Sequence, residues 1–406
     1  MSDRGLIVYL AILTVNVKIA IMYQRSALAQ IAAALRRSPA VAVLGPRQVG
    51  KTTLAKHLAG TVNREFVYLD LQDERDRARL ADPNLFFKTH PNALIVLDEV
   101  QYTPDIFRHL RPEIDRDRSK GRFLLLGSAS FSLLKQSAES LAGRLATVEL
   151  GGLLVQEIEP TFARQQQLWL RGGFPESFTS ATDEDSFEWR LDFMRLLLER
   201  DLPQFGVQVA APTLQRFWRM VANSHSQLTN MSQLAASMGI SVPTIGRYLD
   251  LLEAARMLRR LQPMHINLNK RLVKTPKTYL RDSGLLHALL GIKTMDDLLA
   301  HPTMGYSWEG FVLEHISQLA PRGAEVMFYR TAAGAEMDVV VQHGSQTICF
   351  EIKSSSAPKV TQGFHNAMQD LKPTATFIVA QVDKRYAFSE QVQVIALMDI
   401  ASVLQG

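Results

Sequence analysis

The chain has 406 residues, 47% of them hydrophobic, which is enough for two or three domains with cores of their own. A single cysteine, Cys349, excludes an intramolecular disulfide framework and fits a reducing compartment. The net charge of +5 is mild on average, so it informs only where basic residues cluster.

The chain opens on LIVYLAIL, Leu6 to Leu13, and continues as TVNVKIAIMY with Asn16 and Lys18 breaking the run. That is marginal against the roughly 20 apolar residues of a membrane span. A signal peptide fits poorly, because no small-residue cleavage site precedes Ser26. Residues 1–21 therefore read either as an extension upstream of a true start at Met22 or as a peripheral anchor. MYQRSALAQIAAALRR, from Met22, has the spacing of an amphipathic helix.

VAVLGPRQVGKTTL, Val41 to Leu54, is the organising stretch: an apolar run breaks at Gly45 and a helical pattern restarts at Lys51. G-x-x-x-x-G-K-T between a strand and a helix is the pattern of a phosphate-binding loop. Gly45 and Gly50 let the backbone turn its N–H groups inward, and the helix offers its positive N-terminal end to the same anion. Lys51 reaches the terminal phosphates, Thr52 is placed to ligate Mg²⁺, and Thr53 follows in the first helical turn.

EFVYLDL, Glu65 to Leu71, predicts a second strand, and the charged DERDRARLADP after it a surface helix or loop. NALIVLDEVQ then gives a strand covered on both faces, Ala93 to Leu97, ending in Asp98 and Glu99. After a phosphate-binding loop, the first carboxylate suits Mg²⁺ and the second the activation of an attacking water. A third apolar strand in RFLLLGSAS delivers Ser128 to the same sheet edge, as a γ-phosphate sensor or as a turn serine. Arg144, in ESLAGRLATVEL, is either a finger for a neighbouring subunit's nucleotide or a surface arginine. Alternating strands and helices to about Leu150 predict a parallel, doubly covered sheet.

From Trp169 the texture changes. WLRGGFPESF carries a glycine-proline turn, and Phe187 to Arg200 predicts a helix with Trp189, Phe193, Leu196 and Leu197 on one stripe, a lid or connector. MSQLAASMGISVPTIGRYLDLLEAARMLRRL then predicts a helix, a turn at Gly239, and a second helix capped by Ser241. Ile245, Leu249 and Leu252 face inward and Thr244 and Arg247 outward, the layout of a helix-turn-helix with MLRRL and LQPM as a wing. From Ala254 to Arg281 the chain has eight basic residues (Arg256, Arg259, Arg260, Lys270, Arg271, Lys274, Lys277 and Arg281) and no Asp or Glu. Such a face suits phosphate contacts, chiefly through Arg259 and Arg260; the alternative is a solvated basic face.

The last unit begins around YSWEGFVLEHISQL, a predicted helix, followed by the strands AEMDVVV and TICFEIKSS joined at His343 to Ser345. Alternation puts Glu336, Asp338 and Val340 on one face, and Cys349, Glu351 and Lys353 on one face of the partner strand. A carboxylate set against E-x-K can bind a divalent cation for phosphodiester cleavage, or be an ordinary exposed strand pair.

Taken in order, the P-loop, DEVQ, LLGSAS, SLAGR, GGFP, the helix-turn-helix, KTPKTYLRDSGLL and the EMDVVV/FEIKSS hairpin resemble the prokaryotic AAA-type ATPases that carry a C-terminal domain of unknown function. The likeness runs from Met22 to the end. It implies an α/β fold: a P-loop NTPase parallel sheet of AAA type, a winged helix-turn-helix, and a C-terminal α/β domain similar to the PD-(D/E)xK nucleases. Residues 22–165 would be the ATPase domain, 166–211 the lid or connector, 212–285 the winged helix and 286–406 the nuclease-like domain. By position, Gly45, Gly50, Lys51 and Thr52 match Walker A, Asp98 and Glu99 match Walker B, and Glu309, Asp338, Glu351 and Lys353 match the nuclease-like motif. Ser128 stands where many AAA proteins carry Asn, so the usual sensor role does not carry over directly. The expected function is ATP binding and hydrolysis with Mg²⁺, coupled to engagement of double-stranded DNA, with its cleavage left open. The alternative is an ATP-gated switch whose inactive nuclease-like domain binds a protein partner. A cytoplasmic location and a homo-oligomer are expected, and no membrane partner.

Overall fold

Three apolar runs dictate the first unit. Ala40–Gly45 (β1) and Leu94–Asp98 (β3) are buried at every position, as strands of a parallel sheet with helices on both faces must be. Phe66–Asp70 (β2), with alternating burial, lies at an edge; Phe123–Ser128 (β4) and Leu145–Glu149 (β5) complete a five-stranded parallel sheet in the order β2-β3-β4-β1-β5. Alternate residues feed two cores. Ala40, Ala42 and Leu44 join Ile95, Leu97, Leu125 and the helix Ile106–Arg116 on one face. Val41 and Val43 join Leu94, Val96, Leu124 and the helices Ala27–Arg37 and Lys51–Ala59 on the other.

The computed structural model describes residues 23–128, 141–205, 209–265 and 271–405. The N-terminal extension, Met22, Lys270 and the side chain of Ser128 lie outside them. Among the described residues no helix is long and apolar enough to cross a membrane. The chain divides into two compact units, residues 1–153 with 254–256, and 154–253 with 257–406.

In the second unit, the segment expected as a lid or connector contributes to a core. Trp169, on the helix Phe162–Arg171, meets Trp308 edge to face at 5.1 Å and donates to the Ser307 hydroxyl. The GGFP and RDSGLL motifs lock together: Asp282 accepts from the Gly173 and Leu285 amides, and a Cβ on Gly284 would stand 2.1 Å from the Arg171 carbonyl oxygen. Phe193 and Leu197 are buried as expected, but Leu196 is exposed, because the helix Asp183–Leu196 gives way at Leu197 to a wider turn that moves the inward stripe onto Leu197 and Leu198.

The helix-turn-helix forms as Met231–Met238 and Val242–Ala254, with Gly239 ending the first helix at φ 69°. Ile245, Leu249 and Leu252 are buried. The helix Ala211–Asn223 precedes it, and a small antiparallel sheet in the order β6-β8-β7 accompanies it: Gln227–Leu228 (β6), Leu258–Leu261 (β7) and Lys277–Leu280 (β8). Of the segments expected as a wing, MLRRL forms β7 against β8, and the chain from LQPM to β8 is drawn to the C-terminal sheet. Met264 N–H donates to Phe328 O at 2.7 Å and Val273 N–H to Arg330 O at 3.0 Å, while Met264 and Leu272 join the C-terminal core. It pairs with Glu325–Arg330 (β9), an edge strand whose open N–H and C=O groups call for partners.

That C-terminal sheet has six strands and is mixed, in the order β13-β14-β12-β11-β10-β9. Glu336–His343 (β10) and Gln346–Ile352 (β11) form the expected hairpin, with Val339 opposite Phe350; Ala375–Val379 (β12) continues parallel to β11, followed by Val392–Ile395 (β14) and Tyr386–Ser389 (β13). The helix Met304–Leu319 packs within the same unit.

Candidate functional site

The P-loop joins β1 to the helix Lys51–Ala59 through Gly50, whose φ of 98° only glycine adopts without strain. Gly45 is glycine for a different reason from the turn expected of it. A Cβ there would lie 2.2 Å from the carbonyl oxygen of Leu150, whose amide donates to Leu44 O beside β1. Gln48 also has a left-handed backbone, φ 60°. Lys51 is buried, and its ammonium donates to the carbonyls of Gly45 at 3.0 Å and Pro46 at 2.6 Å, which aims it along the inside of its own loop. Thr53, half-buried, follows in the first helical turn.

Thr52 and Asp98, both expected at Mg²⁺, are in contact. The Thr52 hydroxyl donates to Asp98 Oδ2 at 2.5 Å, so an alcohol at a helix start and a carboxylate at the end of β3 converge. Both are oxygen donors of the kind Mg²⁺ prefers, and their convergence beside the P-loop fits that ion. Glu99 follows in a left-handed conformation, φ 52°, its amide donating to Asp98 Oδ1 and its carboxylate accepting from the Gln101 side chain. Unusual backbone at Gln48 and Glu99 on either side of one site is the kind of strain that accompanies a binding function. Ser128 ends β4 directly opposite Gly45 in register, which puts its backbone at the P-loop edge.

Two further residues enter that sequence reasoning missed. Tyr68, on β2, donates its hydroxyl to Asp98 Oδ2 at 2.7 Å; burial and then the Asp98 charge push its phenol pKa up. Its alternation with Asp70 in EFVYLDL was the available signal. Arg25 is nearly buried and ties the P-loop to the chain after β5, through Val49 O at 3.0 Å and Gly151 O at 2.6 Å. Nothing in its local pattern announces that role.

Arg144 is placed elsewhere. It precedes β5, at the end of the parallel sheet opposite the P-loop, and pairs bidentately with Asp115 at 2.7 and 2.8 Å. A finger acting on a neighbouring subunit would have to open that pair.

Five of the basic residues from Ala254 to Arg281 are paired with acids, while Arg271 and Lys274 are exposed. Arg259 pairs with Glu314 at 3.0 Å, and Arg281 grips the same carboxylate at 2.6 Å. Arg260 is held by Glu253 and by Asp250, the latter at 2.6 Å, and Arg256 by Glu149 at 3.1 Å. Burial alone would raise the Glu314 pKa, but Arg281 and Arg259 outweigh it and hold the carboxyl down at about 2. Thr244, half-buried, and Arg247, exposed, keep the outward face expected of them, with Arg247 donating to the Thr244 hydroxyl at 3.0 Å.

The C-terminal carboxylates do converge, around a cation from outside the expected set. Lys277, on β8, lies 3.3 Å from Glu309, 3.1 Å from Glu336 and 4.0 Å from Asp338. Tyr279 donates to Glu309 at 2.6 Å, the Ile352 amide to Asp338 Oδ2 at 2.9 Å, and Lys353 to Glu351 at 2.6 Å. Burial first, then Glu351 and Glu309, push the Asp338 pKa well above its ordinary value. Burial opposes the charge on Lys277, but Glu309, Tyr279, Asp338 and Glu336 hold its pKa above the usual lysine value. Among the described residues, no three His, Cys, Asp or Glu side chains are arranged to hold a metal ion.

Comparison with known proteins places these features. Residues 37–159 match the model of an AAA domain, 163–296 a domain of unknown function (DUF8612), and 304–400 another (DUF4143). The Walker-type ATPase PABY2304 of Pyrococcus abyssi aligns over 66% of this chain and 95% of its own at 13% identity, with a TM-score of 0.45. The uncharacterized proteins Rv2008c of Mycobacterium tuberculosis and Mb2031c of Mycobacterium bovis are each 42% identical over 380 residues, covering 93% of this chain and 85% of theirs. The chain is thus an α/β P-loop NTPase with an AAA domain ahead of a C-terminal DUF4143 domain, and it belongs to the same family as these two mycobacterial proteins.

Proposed function

We propose that the chain binds MgATP at the P-loop and hydrolyses it, and that its second unit is an interaction module for a protein partner, addressed by nucleotide state, rather than a nuclease. The observation that carries the ATP reading is the contact of the Thr52 hydroxyl with Asp98 at the end of β3, beside the loop whose Gly45 and Pro46 carbonyls hold the Lys51 ammonium. Lys51 and the loop amides bind the β- and γ-phosphates, and Thr52 with Asp98 holds Mg²⁺, which supplies neutralising charge to the phosphate oxygens. Glu99 accepts a proton from the attacking water, and Gln101 fixes the orientation of its carboxylate. With ATP as substrate and one cysteine in the chain, the cytoplasm is the compartment this reading requires.

The arginine pairings and the Lys277 cluster support the interaction reading over DNA cleavage. The order helix, strand, helix, helix and two strands supports a winged helix over residues 212–285. A second reading, contact with double-stranded DNA, rests on Thr244 and Arg247 alone, on the outer face of the second helix.

Glu99→Gln is expected to keep ATP binding and lose turnover by about 100-fold, the usual scale of general-base removal. Binding of a fluorescent ATP analogue and phosphate release measure the two separately. Wild-type turnover in Glu99→Gln would remove the assigned role.

A further inference from the structure

The nuclease resemblance implies a divalent cation among Glu309, Asp338 and Glu351, and the side chains present do not fit one. We propose instead that the Lys277 ammonium is the resident cation of this cluster, and that the C-terminal domain as folded takes no divalent metal there.

Three carboxylates converge on the single Nζ of Lys277, at 3.1, 3.3 and 4.0 Å. The fourth, Glu351, is held by Lys353, and Arg330 lies 3.6 Å from Glu336. Tyr279 and the Ile352 amide each orient one carboxylate oxygen, Glu309 Oε1 and Asp338 Oδ2, so the ammonium is the group that stands where a metal would sit. A divalent ion entering this space would meet an ammonium already surrounded by its ligands. Like charges at that range repel strongly in a buried site.

Lys277 cannot simply swing aside. It sits on β8, the central strand of the three-stranded sheet, opposite Leu261 on β7 and Leu228 on β6, so its backbone is fixed on both sides. Its aliphatic stem runs through the interior, and the side chain is only 5% exposed. The charged core therefore joins four elements: β8, the helix Met304–Leu319, β10 and β11. That is a structural joint between the small sheet and the C-terminal sheet, with lysine at the position where the hydrolytic reading would put a metal.

The test is Mn²⁺ binding to the full chain, followed by the electron paramagnetic resonance signal of free Mn²⁺. Nucleotide is omitted, so the result does not depend on the P-loop reading. Wild type is expected to bind no Mn²⁺ that Asp338→Asn removes. Lys277→Met is expected to gain about one Mn²⁺ per chain, lost again when Asp338→Asn is added. Asp338-dependent Mn²⁺ binding by wild type would overturn the proposal. So would a Lys277→Met protein with native tryptophan fluorescence that binds none. Should Lys277→Met fail to fold, the comparison of wild type with Asp338→Asn still decides.

Discussion

Glu314→Gln tests whether the basic stretch is structural. The carboxylate is largely buried and accepts from Arg281 at 2.6 Å and Arg259 at 3.0 Å, and its pKa is held at about 2 against an ordinary 4.5. That drop corresponds to about 3 kcal/mol of folding stability. The amide keeps the shape but leaves two guanidinium groups facing a neutral partner, a loss of the same order. The unfolded chain takes up this proton below pH 4.5 and the folded chain only near 2, so the contribution is full above 4.5 and falls away as pH drops towards 2. Wild type should exceed Glu314→Gln by about 3 kcal/mol at neutral pH, with more than half of the difference gone by about pH 3. All four tryptophans, Trp169, Trp189, Trp218 and Trp308, lie in the second unit, so urea titration by tryptophan fluorescence reports on that unit alone. Equal stability at neutral pH, or a difference that ignores pH, would refute the reasoning.

Two other substitutions address the second unit. Gly284→Ala would drive a Cβ to 2.1 Å from the Arg171 carbonyl, a backbone clash that should cost more than about 2 kcal/mol in the same urea titration; an unchanged midpoint would show that the GGFP and RDSGLL contact is soft. Arg247→Ala should lower affinity for double-stranded DNA and flatten its salt dependence if the outward helix face meets phosphate, measured by fluorescence anisotropy over a salt series; identical titrations for variant and wild type would end the DNA reading.

Features set by local pattern were legible in the sequence. Apolar strands covered on both faces, the glycine-lysine-threonine loop, the carboxylates ending β3 and the β10/β11 hairpin each follow from spacing within a dozen residues. What escaped depends on partners far along the chain. Arg259 and Arg260 looked free because no acid lies between Ala254 and Arg281, yet Glu314 comes from a helix 55 residues on and Glu253 from just before the stretch. Lys277 counted as one more basic residue until the fold brought Glu309 and Glu336 to it. The pairing of the chain after β7 with β9 is made by backbone groups, which leaves no trace in side-chain periodicity. Gly45 was correctly singled out, though the close approach of Leu150, rather than a turn, is what requires it.

The most direct test of the ATP reading is equilibrium binding of MgATP to wild type and to Lys51→Ala. Lys51 is buried with its ammonium inside the loop, so its removal deletes the charge that meets the terminal phosphates while leaving the sheet unchanged. The account predicts saturable binding by wild type and an affinity at least about tenfold weaker, by about 1.4 kcal/mol or more, in the variant. Equal affinity in the two proteins, or no binding by wild type, would contradict it.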